Sequence, residues 1–239
     1  MAETERQKII IDSYDQLYKG KNFHQIWEGE ISLKYKVPKY ASLFIRHFQG
    51  KNPAVLEVGA GDGYLTRLIM KKLNCKKYVA TEISDGGVKR LKEKGIRALK
   101  MDAERLEFED NSFDVVCCFD TMHHAYDPRK MASEMIRVAR KEVFLIEANG
   151  SCLIRKLLEK TPRYKTVHEL SYTPRQYISF FTHPEIRKIY IKPFLAVFPF
   201  TPLIFTKPAV WISEIMERLP ILKWQCSSVL ISVEKYLPR

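Results

Sequence analysis

Disulfide and zinc-site chemistry have little to work with in this sequence. Its five cysteines (Cys75, Cys117, Cys118, Cys152 and Cys226) are odd in number and show no CxxC spacing. A disulfide framework and a zinc knuckle are therefore excluded, and a reducing, cytoplasmic setting is expected. The charged start Met1-Ala2-Glu3-Thr4-Glu5-Arg6 is followed by no apolar run, so no secretory signal is expected. The uncharged run Pro193 to Thr206 has 14 residues and three prolines, too short and too broken to cross a bilayer. Negative charge is the scarcer sign, with 28 Asp+Glu against 40 Lys+Arg and a net charge of +12. Residues 1–150 hold 26 basic and 22 acidic side chains, and residues 151–239 hold 14 and 6, so the excess is concentrated late in the chain. A basic third of this kind suits nucleic acid, an anionic membrane surface or an acidic substrate, or simply keeps the surface soluble. No arginine–aromatic RNA-binding motif accompanies it, and nucleic acid is not the expected partner.

The hydrophobic fraction of 46% and 12% aromatics describe a globular chain with material for a real core. Ile10, Tyr14, Leu17 and Tyr18 give residues 4–19 a helical stripe, and Tyr40, Leu43, Phe44 and Phe48 do the same for 38–48, which Gly50 ends. An alternation follows: strands at 54–58, 77–83, 97–101, 113–119 and 142–147, with helices at 64–73, 87–94 and 128–140 between them. Short, continuously apolar strands separated by helices predict a parallel sheet covered on both faces, a doubly wound α/β fold. After Asn149 the rhythm changes. A helix is predicted at 173–181, a strand at 186–192, a helix at 210–219 with Ile212, Ile215, Met216 and Leu219 facing inward, and a last strand at 228–233. One domain is expected over 1–239: an N-terminal helical lid (1–35), a ligand-binding core (36–149) and a C-terminal half-sheet with an apolar insertion (150–239).

The chemistry concentrates after the first strand, in Glu57-Val58-Gly59-Ala60-Gly61-Asp62-Gly63 followed by Tyr64 and Leu65. Glycines there let the backbone turn tightly and approach a ligand where a Cβ would clash, and the helix that follows offers N–H donors. The dinucleotide pattern GxGxxG needs a glycine at 64, where Tyr64 stands, and no Gly-Lys-Ser/Thr follows to make a P-loop.

The segment resembles the first motif of class I S-adenosylmethionine-dependent methyltransferases, and further stations agree in order. Glu82, followed by Ile83 at the end of the second strand, matches the acid that in this family holds the ribose hydroxyls. Asp102-Ala103-Glu104 resembles the family's adenine-contacting turn, with Asp102 placed to accept from the exocyclic amine. Phe113-Asp114-Val115-Val116-Cys117-Cys118-Phe119 resembles the fourth-strand motif, with Asp120 to His124 beyond its end. The resemblance covers residues 36–149 and extends more loosely to the end, where it implies a seven-stranded, mostly parallel sheet with an antiparallel last strand. Where relatives often carry Lys-Pro-Gly-Gly before the fifth strand, this chain has Ala139-Arg140-Lys141-Glu142, which implies a shorter loop.

Amine-methylating relatives carry Asn/Asp-Pro-Pro-Tyr/Phe after strand four. Phe119-Asp120-Thr121-Met122-His123-His124 instead is similar to the small-molecule (type 11, UbiE-like) branch, which implies methyl transfer to a small acceptor on oxygen, carbon or nitrogen. His123 or His124 then stands as a candidate base, or packs against the next helix. Asp120-x-x-His123-His124 also resembles a metal-binding string of some relatives, but no metal is expected. Tyr14, Tyr18 and Trp27 are candidate lid residues over the methyl donor. Pro193–Thr206 is read as buried packing, as the lining of an apolar acceptor site, or as a contact with a membrane interface. A nucleic-acid methyltransferase and a cofactor-binding regulatory protein are the competing readings.

Overall fold

Strands β1 (Ala54–Val58), β2 (Lys77–Glu82), β3 (Ala98–Lys100), β4 (Phe113–Phe119), β5 (Ala139–Ala148), β6 (Ile186–Phe194) and β7 (Ser228–Lys235) form one sheet of order β3-β2-β1-β4-β5-β7-β6. β1 to β5 are parallel, and β7 runs antiparallel to both of its neighbours, β5 and β6. The computed structural model describes residues 12, 15, 32–161, 170–195, 197, 201 and 203–236. Strand order reverses between β1 and β4, which opens a crevice at their C-terminal ends, where ligands of such sheets bind.

The two-residue period of a strand sorts the core. Val116 and Cys118 of β4, Val143 and Leu145 of β5, and Val229, Ile231 and Val233 of β7 face one layer. Val115, Cys117 and Phe119, with Phe144 and Ile146, face the other. Helix α4 (Pro128–Val138) covers the first layer through Met131, Met135 and Ile136. Helices α1 (Val37–Phe48) and α2 (Tyr64–Met70) cover the second through Tyr40, Phe44, Phe48 and Ile69. Phe44 is fully buried, with ring centroids 4.7 Å from Phe48, 5.2 Å from Phe144 and 5.7 Å from Phe119. Helix α3 (Asp85–Glu93) starts on Ser84, whose side chain accepts from Gly87 N, and packs Val88 and Leu91 against Ala80, Ile96 and Ala98. Helix α4 is capped by Asp127 with Pro128 in its first turn, the arrangement that satisfies otherwise orphaned N–H groups.

Three expectations are corrected. β5 begins at Ala139, directly from α4, rather than at Glu142. Phe113 pairs with Ala139 while Val115 pairs with Glu142, and the shift between them accommodates Arg140 and Lys141. Both cations pair with the buried Asp114, which also accepts from Ala54 N at 2.9 Å. Burial pushes the Asp114 carboxyl up, but these bonds outweigh it and hold the group well below the usual carboxylate range. Second, a helix α5 (Leu153–Leu158) follows β5, where no element was expected. It precedes α6 (Pro174–Phe180), which opens on a capping box between Thr173 and Gln176. Third, α7 (Thr206–Arg218) turns the opposite way from its apolar pattern. Ile212, Ile215 and Leu219 are exposed, whereas Thr206 and Ser213 are buried, with Ala209 and Val210 packed beside them. Small side chains let the helix lie close on the edge of the sheet, and the large ones are left outside. Of the run Pro193–Thr206, Pro193 and Phe194 complete β6, Leu195 and Val197 are buried, and Leu203–Phe205 form a 3-10 turn. The predicted lid residues Tyr14, Tyr18 and Trp27 lie outside the described residues. Asp12 and Asp15 of that segment are helical.

At the tip of β1, Glu57 turns its carboxylate inward. Its Oε2 accepts from Thr66 Oγ1 of α2 and from Tyr78 OH of β2, each at 2.7 Å, so one acid ties β1, β2 and α2 together beneath the glycine turn. Burial raises its pKa to about 7 despite those two bonds. The folded state thus binds more protons than the unfolded chain between about pH 4.5 and 7, and stability falls as pH rises through that window. Glu57→Gln keeps an acceptor for Thr66 and Tyr78 and removes the titration. The variant is expected to match the wild type near pH 4.5 and exceed its Tm above pH 7, in thermal melts across that range. Phe44→Ala is expected to destabilise the fold by about 3–5 kcal/mol, read from the denaturant midpoint at constant m.

Candidate active site

The glycine turn between β1 and α2 runs through the left-handed region at Gly59 (φ 68°), Gly61 (φ 59°) and Gly63 (φ 75°). Two of these glycines are required by the protein's own packing. A Cβ on Gly59 would collide with the Thr121 side chain, and one on Gly63 with Leu91 and Ile96. Thr121 in turn donates from Oγ1 to Gly59 O at 3.1 Å, which locks the turn after β1 to the turn after β4. The turn is also held from β2 and within itself. Ala60 N donates to Thr81 O at 3.0 Å, Gly63 N to Ala60 O at 3.1 Å, and Tyr64 N to Asp62 Oδ1 at 3.0 Å. Lys94 reaches across from the end of α3 to both the carbonyl and the carboxylate of Asp62. Tyr64 lies at the surface, and Leu65 packs half-buried in the layer beneath α1.

Glu82, at the tip of β2, faces this turn. Its Oε2 accepts from Gly61 N at 2.9 Å, and its Oε1 accepts from Ile83 N (3.0 Å), Ser84 N (3.2 Å) and Ser84 Oγ (3.1 Å). Gly87 leaves room for the side chain, since a Cβ there would meet Glu82 Cγ. Burial raises the Glu82 pKa, and the four donors oppose that rise. Three donors saturate Oε1, but Oε2 carries one bond on two lone pairs and keeps an acceptor position for a hydroxyl. Asp102, beyond β3, accepts from Glu104 N at 2.9 Å, closing the turn through Ala103. Glu104 turns away from it, accepting from Asp127 N at 2.9 Å under the cap of α4.

The third wall follows β4. The Phe119 side chain packs inward against Phe44 and Phe144, and only its backbone borders the turn. Asp120 adopts a left-handed conformation (φ 48°) and forms an ion pair with Lys36 at 2.7 Å, while Tyr40 OH donates to its Oδ1 at 3.4 Å. The next residues gather on Glu147 of β5, which is fully buried. Its Oε1 accepts from Thr121 N (2.9 Å) and Met122 N (2.8 Å), and its Oε2 lies 2.7 Å from His123 Nδ1 and 3.5 Å from Tyr177 OH of α6. Burial pushes the Glu147 carboxyl up, but the His123 bond and charge and the two N–H donors outweigh it, and the net shift is downward. His123 is buried, and His124, its ring tilted by 43° against it with centroids 4.0 Å apart, is the half-buried member of the pair. Asp120 and His123 thus point to different partners rather than converging as ligands.

The structure therefore brings the glycine turn, Glu82, Asp102 and the Asp120–His124 turn to one end of the sheet, and separates Glu57, Glu104 and the Phe119 ring from it. Of the residues that build this end, Lys36, Ser84, Glu147 and Tyr177 carry no signal used in the sequence analysis, which has Tyr40 only as a core residue and Thr121 only as part of the string after strand four. Glu147 carries the same signal as Glu57 and Glu82, an acid ending or interrupting a buried apolar strand. Ser84 acts through near neighbours, Glu82 and Gly87, as the cap of α3, and the others depend on contacts remote in sequence.

A family profile described as "Methyltransferase domain" matches residues 56–146. Among curated proteins, the chain is 32% identical over 90 residues to the phthiotriol/phenolphthiotriol dimycocerosates methyltransferase of Mycobacterium tuberculosis, covering 36% of this chain and 33% of that protein. It is 30% identical over 95 residues to the ubiquinone/menaquinone biosynthesis C-methyltransferase UbiE of Idiomarina loihiensis, covering 36% of this chain and 38% of that one. The matching stretch thus spans about a third of the length of these relatives. Among solved structures, a SAM dependent methyltransferase from Archaeoglobus fulgidus superposes with a TM-score of 0.64 at 17% identity, covering 89% of this chain and 98% of that one. At that identity the likeness is one of fold, and it spans most of the chain. The glycine turn, Glu82, Asp102 and the Asp120–His124 turn thus lie within the segment, 56–146, that matches the methyltransferase-domain profile, and Glu147 directly follows it.

Proposed function

We propose that this chain binds S-adenosylmethionine in the crevice between β1 and β4 and transfers its methyl group to a small, apolar acceptor. The observation that carries the reading is the bond between Glu82 and Gly61 N, which makes the acid of β2 and the glycine turn of β1 one cradle. The residues present fit the cofactor. Gly61 holds a backbone conformation that disfavours a side chain, and Glu82 Oε2 keeps an acceptor position for a ribose hydroxyl. Asp102 would accept from the adenine amine. When bound, the cofactor would supply an electrophilic methyl group carried on a cationic sulfur.

The chain's own part is to place the acceptor and to take its proton. His124 is the proton acceptor, because it is the less buried of the two histidines. His123 and Glu147 position it through the ring contact of the two histidines and the 2.7 Å contact. An apolar acceptor is supported by the names of the two curated relatives, one acting on phthiotriol-type lipids and one in quinone biosynthesis. A cytoplasmic setting is supported by five free cysteines, of which Cys226 is pushed up to about 12 and Cys75 to about 11 by burial, so neither is a ready thiolate.

Calorimetry with S-adenosylmethionine is expected to show binding by the wild type, none by Gly61→Val, and binding about tenfold to a hundredfold weaker by Glu82→Ala. Wild-type affinity in both variants would remove the cradle from the mechanism. His124→Ala is expected to lower turnover by about 10²–10⁴ with Tm and cofactor affinity retained. Glu147→Gln, which leaves a buried amide facing donors, is expected to lower Tm. Full turnover in His124→Ala would dismiss it as the base. Isotope-labelled methyl donor, incubated with the protein and cell extract and followed by mass spectrometry, names the acceptor.

A further inference from the structure

Among the described residues, the five most exposed large apolar side chains gather on one rim. Ile221 is 82% exposed, Ile204 79%, Leu153 68%, and Leu157 and Trp211 each 64%. In α7 and at its C-cap, Pro208, Trp211, Ile212, Ile215 and Leu219 recur at intervals of three and four residues, a helical stripe turned away from the protein. Ile204 and Phe205 extend the stripe at its start, and Ile221 and Leu222 at its end. Helix α5 joins the same rim, because Leu153 N donates to Gln225 Oε1 at 3.0 Å and Gln225 Nε2 donates to Ser151 O at 3.2 Å. Apolar exposure this concentrated marks an interaction surface rather than scattered surface leucines.

Its place in the sheet matters. Ala148 at the end of β5 pairs with Ser228 at the start of β7, and Asn149 Nδ2 donates to Trp224 O at 3.0 Å and Cys226 O at 2.7 Å. Helix α5 and residues 221–226 therefore lie beyond the C-terminal ends of the parallel strands, on the same side as the crevice. Helix α7 is linked to α1 by Glu217, which lies 3.9 Å from Lys39, and α1 delivers Lys36 and Tyr40 to Asp120.

The charges around the rim select its occupant. Lys207 and Arg218 line one edge of the α7 stripe with Glu214, and Lys223 lies 5.5 Å from the Trp224 ring. Glu214 is the exposed acid of that edge, and two other acids nearby are paired. Glu217 lies within 4.0 Å of Lys39 and Lys192 and accepts from Leu195 N, and Glu159 pairs with Lys156 and Arg155. A second copy of this rim would bring like charges together, whereas anionic headgroups complement them. We propose that this rim is a docking surface for an anionic phospholipid bilayer, with Trp211 and Ile215 entering the interface and Lys207, Arg218 and Lys223 at headgroup level. No helix among the described residues is long and apolar enough to cross a membrane, so the contact is peripheral. Docking here sets the crevice against the lipid phase, the source of an apolar acceptor. Only that last consequence rests on the proposed methyl transfer, and docking is measured without it.

The test is sedimentation of the full chain with vesicles of phosphatidylcholine alone or with about one third phosphatidylglycerol, at low and high salt. The anionic vesicles are expected to retain the protein, with retention reduced at high salt by charge screening. Tryptophan emission is expected to shift to the blue on binding. Trp211→Ser/Ile215→Ser and Lys207→Glu/Lys223→Glu are each expected to weaken partition at least tenfold with unchanged Tm. The serine pair is also expected to lose most of the spectral shift. Failure of the wild type to bind anionic vesicles at low salt would overturn the proposal, as would wild-type partition by both variants. Concentration-dependent dimers that the serine pair abolishes would overturn it in favour of a second copy. Absence of methyl transfer with vesicle binding intact would count against the proposed reaction alone.

Discussion

A single buried carboxylate, Glu147, organises the working end of this protein. An ionised group at that depth costs several kcal/mol unless donors surround it. Here the donors are two consecutive backbone N–H groups, an imidazole and a phenol, supplied by the turn after β4 and by α6. Meeting that requirement fixes where Thr121, Met122 and His123 lie. Thr121 then bonds Gly59 O and fills the space that a side chain on Gly59 would need. The glycine turn, the turn after β4 and the end of β5 are therefore one constraint rather than three loops.

The same physics separates three glutamates that look alike in sequence. Glu57 meets two hydroxyl donors and no cation, so burial dominates and its pKa rises to about 7. Glu82 gathers four donors, three of them backbone N–H groups, yet burial still raises it. Glu147 has an imidazole as well, and its pKa falls. Their roles follow from these environments: Glu57 binds elements together, Glu82 faces the crevice, and Glu147 shapes the turn that carries the histidines.

Helix α7 illustrates how a pattern can be legible and its direction not. The spacing of Ile212, Ile215 and Leu219 correctly indicates a helix with an apolar face. Which face packs is decided by what the neighbouring surface accepts, and the edge of this sheet accepts Thr206, Ala209, Val210 and Ser213. Helix α5 is illegible in the sequence for a related reason. Its six residues, Leu153–Leu158, have no buried member, so no stripe contrasts inside with outside.

The sequence by itself determined the order of strands and helices through β5, the glycine turn and the acid at the tip of β2. These rest on local rules: apolar runs bounded by turn residues, and glycine where no Cβ fits. It also carried the family likeness over 56–146. Only the tertiary structure decided which acids face the crevice, which histidine is buried, how β5 grows directly out of α4, and that α7 presents its apolar stripe outward. Each of these is settled by partners many residues away: Glu147 24 residues from His123, Tyr40 80 residues from Asp120, and Glu217 22 residues from Leu195. Burial and hydrogen-bond satisfaction are properties of such contacts, and spacing along the chain does not contain them.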